Sequence, residues 1–184
     1  MGFTFNKNDI QASSQKLDFG GDYNVIIKQA EYKGLTRSNT EYFTMQFEVL
    51  DGEEIGKHVT HVFIDDTDSE KAFRYREINA MINAIGGVQD GVSFELKDVS
   101  KTFVGQQLAI RVREFEKSQY KGTMVYNPKV AEFSALMPNG SKPDKNNPRP
   151  DLNGGSEEIK LQEDSVFPTD KDLPTFPSND PFGG

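Results

Sequence analysis

From residue 41 to residue 50 every second side chain is large and apolar. Phe43, Met45, Phe47 and Val49 fall on one side and Tyr42, Thr44, Gln46 and Glu48 on the other, the alternation of a strand with one buried face. The segment before it, Asp22 to Tyr32, is rich in β-branched and aromatic residues and is followed by Gly, Ser and Asn turn chemistry over Lys33 to Thr40. Asp51-Gly52 then reverses the chain, and Lys57 to Ile64 reads as a third strand closing an antiparallel meander. The period next changes to that of a helix. Tyr75, Ile78, Met81, Ile82 and Ile85 line one helical face over Phe73 to Ile85, with Asp68 or Ser69 able to cap the start and Gly86-Gly87 to stop the end. After an irregular stretch to about Thr102, Val104, Leu108, Ile110 and Val112 mark a fourth strand. Lys117 to Gly122 turns into a fifth, from Thr123 to about Phe133.

The order β-β-β-α-β-β, with a single helix between the third and fourth strands, is that of an OB-fold: a mainly β protein built on a five-stranded barrel plugged by one helix. A different small barrel, or a split sandwich with an accessory helix, would fit the same pattern.

All nine prolines lie at or after Pro128, and the composition breaks near Ala135. The expected organisation is a barrel domain over 1–135, a Pro/Asn-rich linker over 136–150 and a disordered acidic tail over 151–184. The chain of 184 residues has a net charge of −8. The tail takes −6 of this, with apolar residues scattered at no regular period, and leaves −2 for residues 1–150. An acidic balance argues against a nucleic-acid partner when it is spread evenly; here it is concentrated outside the barrel. The absence of cysteine removes disulfides, thiol nucleophiles, zinc ribbons and iron–sulfur clusters. No apolar run is long enough for a membrane span, and no basic-then-apolar segment opens the sequence, so a cytoplasmic protein without membrane contact is expected.

No catalytic constellation emerges, and neither a cofactor nor a metal is expected. His58 and His61, three apart on a strand, point to opposite faces and cannot share an ion without a bulge. Asp66, Asp68, Glu70 and Glu77 mimic a calcium loop, but Lys71 stands where a glycine must turn the chain, and the acids suit a helix start better. Gly52 to Lys57 imitates a phosphate loop one residue too short, with acids where phosphate would bind.

Rings and cations at outward positions form a more coherent set. Arg111, Arg113 and Phe115 lie on the outward parity of the fourth strand and Tyr126 on the fifth. Lys117, Tyr120 and Lys121 belong to the hairpin between them, Tyr32, Lys33 and Arg37 to the first connection, and Tyr42 to the second strand. Outward rings stack on unpaired bases, each worth about 1–3 kcal/mol, while neighbouring cations follow the backbone. Solubility alone would also place charges outward. In the tail, Asp172, Phe176, Asp180, Pro181 and Phe182 combine acid, proline and exposed phenylalanine, a composition that docks in a basic-rimmed apolar pocket. The tail as a tethered polyanion would also compete with phosphate for a cationic groove.

Gly21-Asp22-Tyr23-Asn24-Val25-Ile26-Ile27 with Ala30-Glu31, Tyr42 through Gly52, Gly56-Lys57 and Val104-Gly105-Gln106-Gln107-Leu108 resemble phage-encoded single-stranded-DNA-binding proteins of Gram-positive hosts, over about residues 20–133. The resemblance implies an OB-fold protein that coats single strands in phage DNA replication and recombination. The tail resembles that of bacterial single-stranded-DNA-binding proteins, which ends in Pro-Phe and implies replication or recombination proteins as partners; here Gly183-Gly184 follow Phe182 and remove the phenylalanine's terminal carboxylate. Together these readings give a non-enzymatic, sequence-independent single-stranded-DNA-binding protein, possible as a homo-oligomer. An OB-fold protein-interaction adaptor and a strand-annealing recombination mediator are the alternatives.

Overall fold

A computed structural model describes residues 16–37, 39–64 and 75–152. Its six strands are β1 (Phe19–Leu35), β2 (Glu41–Val49), β3 (His58–Ile64), β4 (Gln107–Tyr120), β5 (Thr123–Ser134) and β6 (Lys142–Pro148), and its two helices are α1 (Arg76–Ile85) and α2 (Leu96–Thr102). The sheet order is β3-β2-β1-β4-β5, all antiparallel, and β5 returns against β3. The ring order is therefore 1-2-3-5-4, with a helix between β3 and β4: the OB barrel.

Phe43, Met45, Phe47 and Val49 of β2 are buried, as their alternation requires. Phe63 of β3 stacks on Phe43 (centroids 4.8 Å apart) and on Phe133 of β5 (5.8 Å), which joins the two ends of the sheet through side chains. Ile78 and Met81 of α1 and Leu96 and Val99 of α2 belong to the same core. The long strand β1 serves three partners in turn: β6 along Phe19–Asp22, β4 along Gly21–Ile26 and β2 along Val25–Leu35. A register shift between Ile27 and Gln29 resets its parity, so Tyr23, Val25 and Ile27 face inward before it, and Ala30 and Tyr32 pack on the core after it.

Several expectations are corrected. Residues 136–150 are not a plain linker, because Lys142–Pro148 is strand β6. Pro143 and Pro148 fit there because an edge strand does not need every N–H. The approach is close: a Cβ on Gly21 (φ 138°) would come within 2.4 Å of the Lys142 carbonyl oxygen. The segment is also tied by hydrogen bonds. The Asn24 amide donates to the Met137 carbonyl (2.9 Å), and the Ser141 backbone N–H donates to Asp51 (2.7 Å). A second helix, α2, occupies what reads as irregular chain; seven residues with apolar positions at Leu96 and Val99 are too short to declare a period.

Val104 lies before β4 and is 43% exposed, off the face expected for it. Helix α1 begins at Arg76, after Tyr75 in the left-handed region (φ 64°), rather than near Phe73. The proposed caps Asp68 and Ser69, the acids 66–70, and the tail from residue 153 lie outside the described residues.

Both ends of the described chain meet at the β2–β3 turn. Leu17 is fully buried, and its carbonyl accepts from Arg149 (3.1 Å). Asp18 donates its backbone N–H to Glu54 (2.9 Å), a carboxylate only 3% exposed that also pairs with Lys57 (3.0 Å). Lys57 reaches Asp18, and Arg149 bonds Asp151 (2.5 Å). Burial lowers the Lys57 ammonium's proton affinity, but the bonds to Asp18 and Glu54 outweigh it and leave the group above the usual lysine value.

Candidate nucleic-acid interface

The outer side of β2 and β3 is the surface least committed to holding the fold. On β2 it carries Tyr42, Thr44, Gln46 and Glu48, and opposite them on β3 stand Ile64, Val62, Thr60 and His58. Val62 is 45% and Ile64 52% exposed, so the Tyr42 ring sits beside two open aliphatic chains. Gly34 is Tyr42's partner on β1, and a side chain added there would meet nothing within 4 Å. The face thus offers an outward ring next to open backbone, flanked by the turn holding exposed Arg37.

Across from β3 rises the β4–β5 hairpin. Lys121 (φ 48°) and Gly122 (φ 81°) form its two-residue turn with left-handed residues at both positions. Tyr120 beside the turn is 63% exposed, with the Lys121 ammonium 5.3 Å from its ring centre. Lys117 stands opposite Tyr126 and Phe115 opposite Pro128, so Phe115, Lys117 and Tyr126 share one face of the hairpin. Glu116 and Asn127 share the other. Between β3 and the hairpin runs a groove of about 560 Å³ lined by Lys16, Thr60, His61, Asn127 and Lys129, among others.

The sequence-predicted residues do not gather on one surface. Tyr32 belongs to β1 rather than to a connection. Its ring packs on the core and its hydroxyl donates to Glu41, a bond that, before burial, raises the phenol above its usual value. Lys33 is likewise on β1 and pairs with Glu31 (2.5 Å). Arg111 is held by Asp22 (2.5 Å) and Glu132 (2.9 Å), and Arg113 by the same Glu132 (2.5 Å). The Asp22 bond raises the Arg111 guanidinium above its usual value. Arg111 faces Asp22 and Tyr42 faces Gly34, twelve residues apart on β1, or about 40 Å of strand. The two arginines therefore stand beside β6, well away from the Tyr42 face.

Sequence reading missed Thr60, Val62 and Ile64, although the alternation of β3 around buried Val59 and Phe63 marks them as outward. It also missed the roles of the histidines. His58 bonds Glu48 (3.0 Å) and His61 bonds Glu77 (3.2 Å), and each bond holds its carboxylate below the usual range. Among the described residues there is no group of three side chains able to hold a metal ion, and no helix is long and apolar enough to cross a membrane.

Comparison with solved structures finds yeast RPA bound to ssDNA, at 11% identity over 74% of this chain and 90% of that one, with a TM-score of 0.36. No curated protein matches. A family match spans residues 3–143, from before the first described strand into β6, and on that match the chain belongs to the family described as Protein of unknown function (DUF669).

Proposed function

We propose that this protein binds single-stranded DNA without catalysis and with little regard to sequence, laying unpaired bases across the outer face of β2 and β3. The observation that carries this reading is Tyr42 on the outward parity of β2, opposite exposed Ile64 and one pair along from exposed Val62, on an OB barrel at the strands and loops where that architecture takes oligonucleotides. Arg37 at the β1–β2 turn and Tyr120 with Lys121 at the hairpin tip border the same face and supply cation and stacking contacts. Lys28, Lys33, Arg111 and Arg113 are each engaged by a carboxylate, so stacking outweighs phosphate neutralisation. With the resemblance to phage single-stranded-DNA-binding proteins, the reading extends to phage replication and recombination, with the acidic tail, Phe176 and Phe182 included, offered to protein partners.

Fluorescence titration with labelled oligo-dT at two salt concentrations tests it. The expected result is saturable binding whose logarithmic salt slope corresponds to only about two or three released ions. Absence of binding to the full chain in dilute buffer would overturn it. Val62 and Ile64 would equally suit a protein partner, and an adaptor role follows if oligonucleotides are ignored.

A further inference from the structure

We infer that the outer edge of β3 is a docking site for the first residues of this chain, where the segment around Phe3-Thr4-Phe5 adds a strand beside Thr60, Val62 and Ile64. Such docking goes beyond nucleic-acid binding and is tested without it, so its failure leaves the reading above standing.

The β2–β3 turn fixes which backbone groups are free. The Val49 N–H donates to the Lys57 carbonyl and the Gly56 N–H to the Val49 carbonyl, both at 2.9 Å. From that bonded position an antiparallel ladder alternates, so Val59, His61 and Phe63 exchange their bonds with Phe47, Met45 and Phe43. The N–H and C=O groups of His58, Thr60, Val62 and Ile64 therefore point away from β2. Lys16 bridges His58 on that edge, and among the described residues no strand pairs with the other three. Natural sheets blunt a free edge with proline or lysine, and β5 across the groove does so with Pro128 and Lys129. The β3 edge instead offers three exposed β-branched residues, the composition of a strand that pairs.

The occupant follows from where the described chain begins. Lys16 lines the mouth of the groove, and Leu17 beside it is fully buried, so residues 1–15 start from this edge. The family match opens at residue 3, well before the first strand. Residues 1–15 contain no proline, and Phe3-Thr4-Phe5 has the alternation of a strand. Val62 is four residues along β3 from the Lys16 bridge, about 13 Å. Residues 6–15 span up to about 33 Å and make the return with chain to spare. The acidic tail has the length to compete, but its prolines lack the N–H that a ladder needs. Docked by main-chain pairing, the segment would set Phe3 and Phe5 beside the open side chains of Val62 and Ile64.

Amide hydrogen exchange of the full chain, read by NMR, tests this. Thr60 and Val62 should exchange slowly in the wild type and about tenfold or more faster in the double variant Phe3→Ser, Phe5→Ser, with Met45 and Phe47 on β2 unchanged. Fast exchange of Thr60 and Val62 in the wild type, or rates indifferent to the two substitutions, would overturn the docking. Because the chain has no cysteine, Thr4→Cys carries a single nitroxide label and provides a second measurement. It should broaden the Thr60 to Ile64 signals of its own chain. Broadening seen only between labelled and isotope-enriched copies would replace self-docking by exchange with a second copy, and broadening from a label at Ser178→Cys instead would give the edge to the tail; either result overturns the assignment.

Discussion

The pole where the two ends of the described chain meet and the open face of β2 and β3 are built on opposite terms. At the pole, Glu54, Lys57, Asp18, Arg149 and Asp151 hold one another in a continuous chain of charges around buried Leu17. On the face, Tyr42, Val62 and Ile64 hold nothing, and removing any of them leaves the barrel its core. Charged residues alone therefore do not mark a binding surface here: Lys57, Arg111, Arg113 and Arg149 satisfy carboxylates, and what the open face offers a ligand is aromatic and aliphatic.

The contrast breaks most severely if β6 is cut away. Ending the chain after Ala135 removes the partner of Phe19–Asp22, the Ser141 bond to Asp51 and Arg149. The melting temperature should fall by about 10 °C or more, read by circular dichroism. An unchanged melting curve would show the pole to be ornamental. Within the pole, Glu54→Ala removes the buried carboxylate that accepts from the Asp18 backbone N–H and from Lys57, leaves Lys57 only Asp18, and should cost about 2 kcal/mol in urea unfolding. On the face, Tyr42→Ala should weaken oligo-dT binding by about 1–3 kcal/mol while leaving unfolding within about 0.5 kcal/mol of wild type. A loss of stability without loss of affinity would reverse the assignment of the two regions.

Acid offers a gentler probe. The Ser141 bonds hold Asp51 below the usual carboxylate range, so its contribution is complete above the unfolded value near pH 4 and disappears as pH falls through the lower folded value. Denaturant midpoints should therefore decline below about pH 4, and Asp51→Asn should flatten that decline. Smallest of all is Arg111→Gln, which removes a half-exposed ion pair and should shift either stability or oligonucleotide affinity by no more than about 1 kcal/mol.

The sequence made β2 plain because its alternation is unbroken, and it made the barrel order readable because turns and a change of period separate the elements. It hid β6 because prolines and asparagines carry no apolar rhythm; what holds that strand is bare backbone at Gly20 and Gly21 and the polar contacts of Asn24 and Asp51, partners ninety or more residues away in the chain. It put Tyr32 in the first connection because turn chemistry begins at Lys33, whereas β1 runs on to Leu35 and the register shift after Ile27 turns the ring toward the core. The arginines read as free because their carboxylates, Asp22 and Glu132, belong to neighbouring strands. Tyr42, by contrast, was placed outward from parity alone, since no shift intervenes along β2.

The hydrogen bond from Arg149 to the Leu17 carbonyl also brings the two ends of the described chain side by side. A short tether from Leu152 back to Lys16, with new ends opened in the Lys121-Gly122 turn, should give a permuted protein with the same strands in the same register. In it the new ends would lie at the hairpin tip, and the charged pole would be an uninterrupted turn.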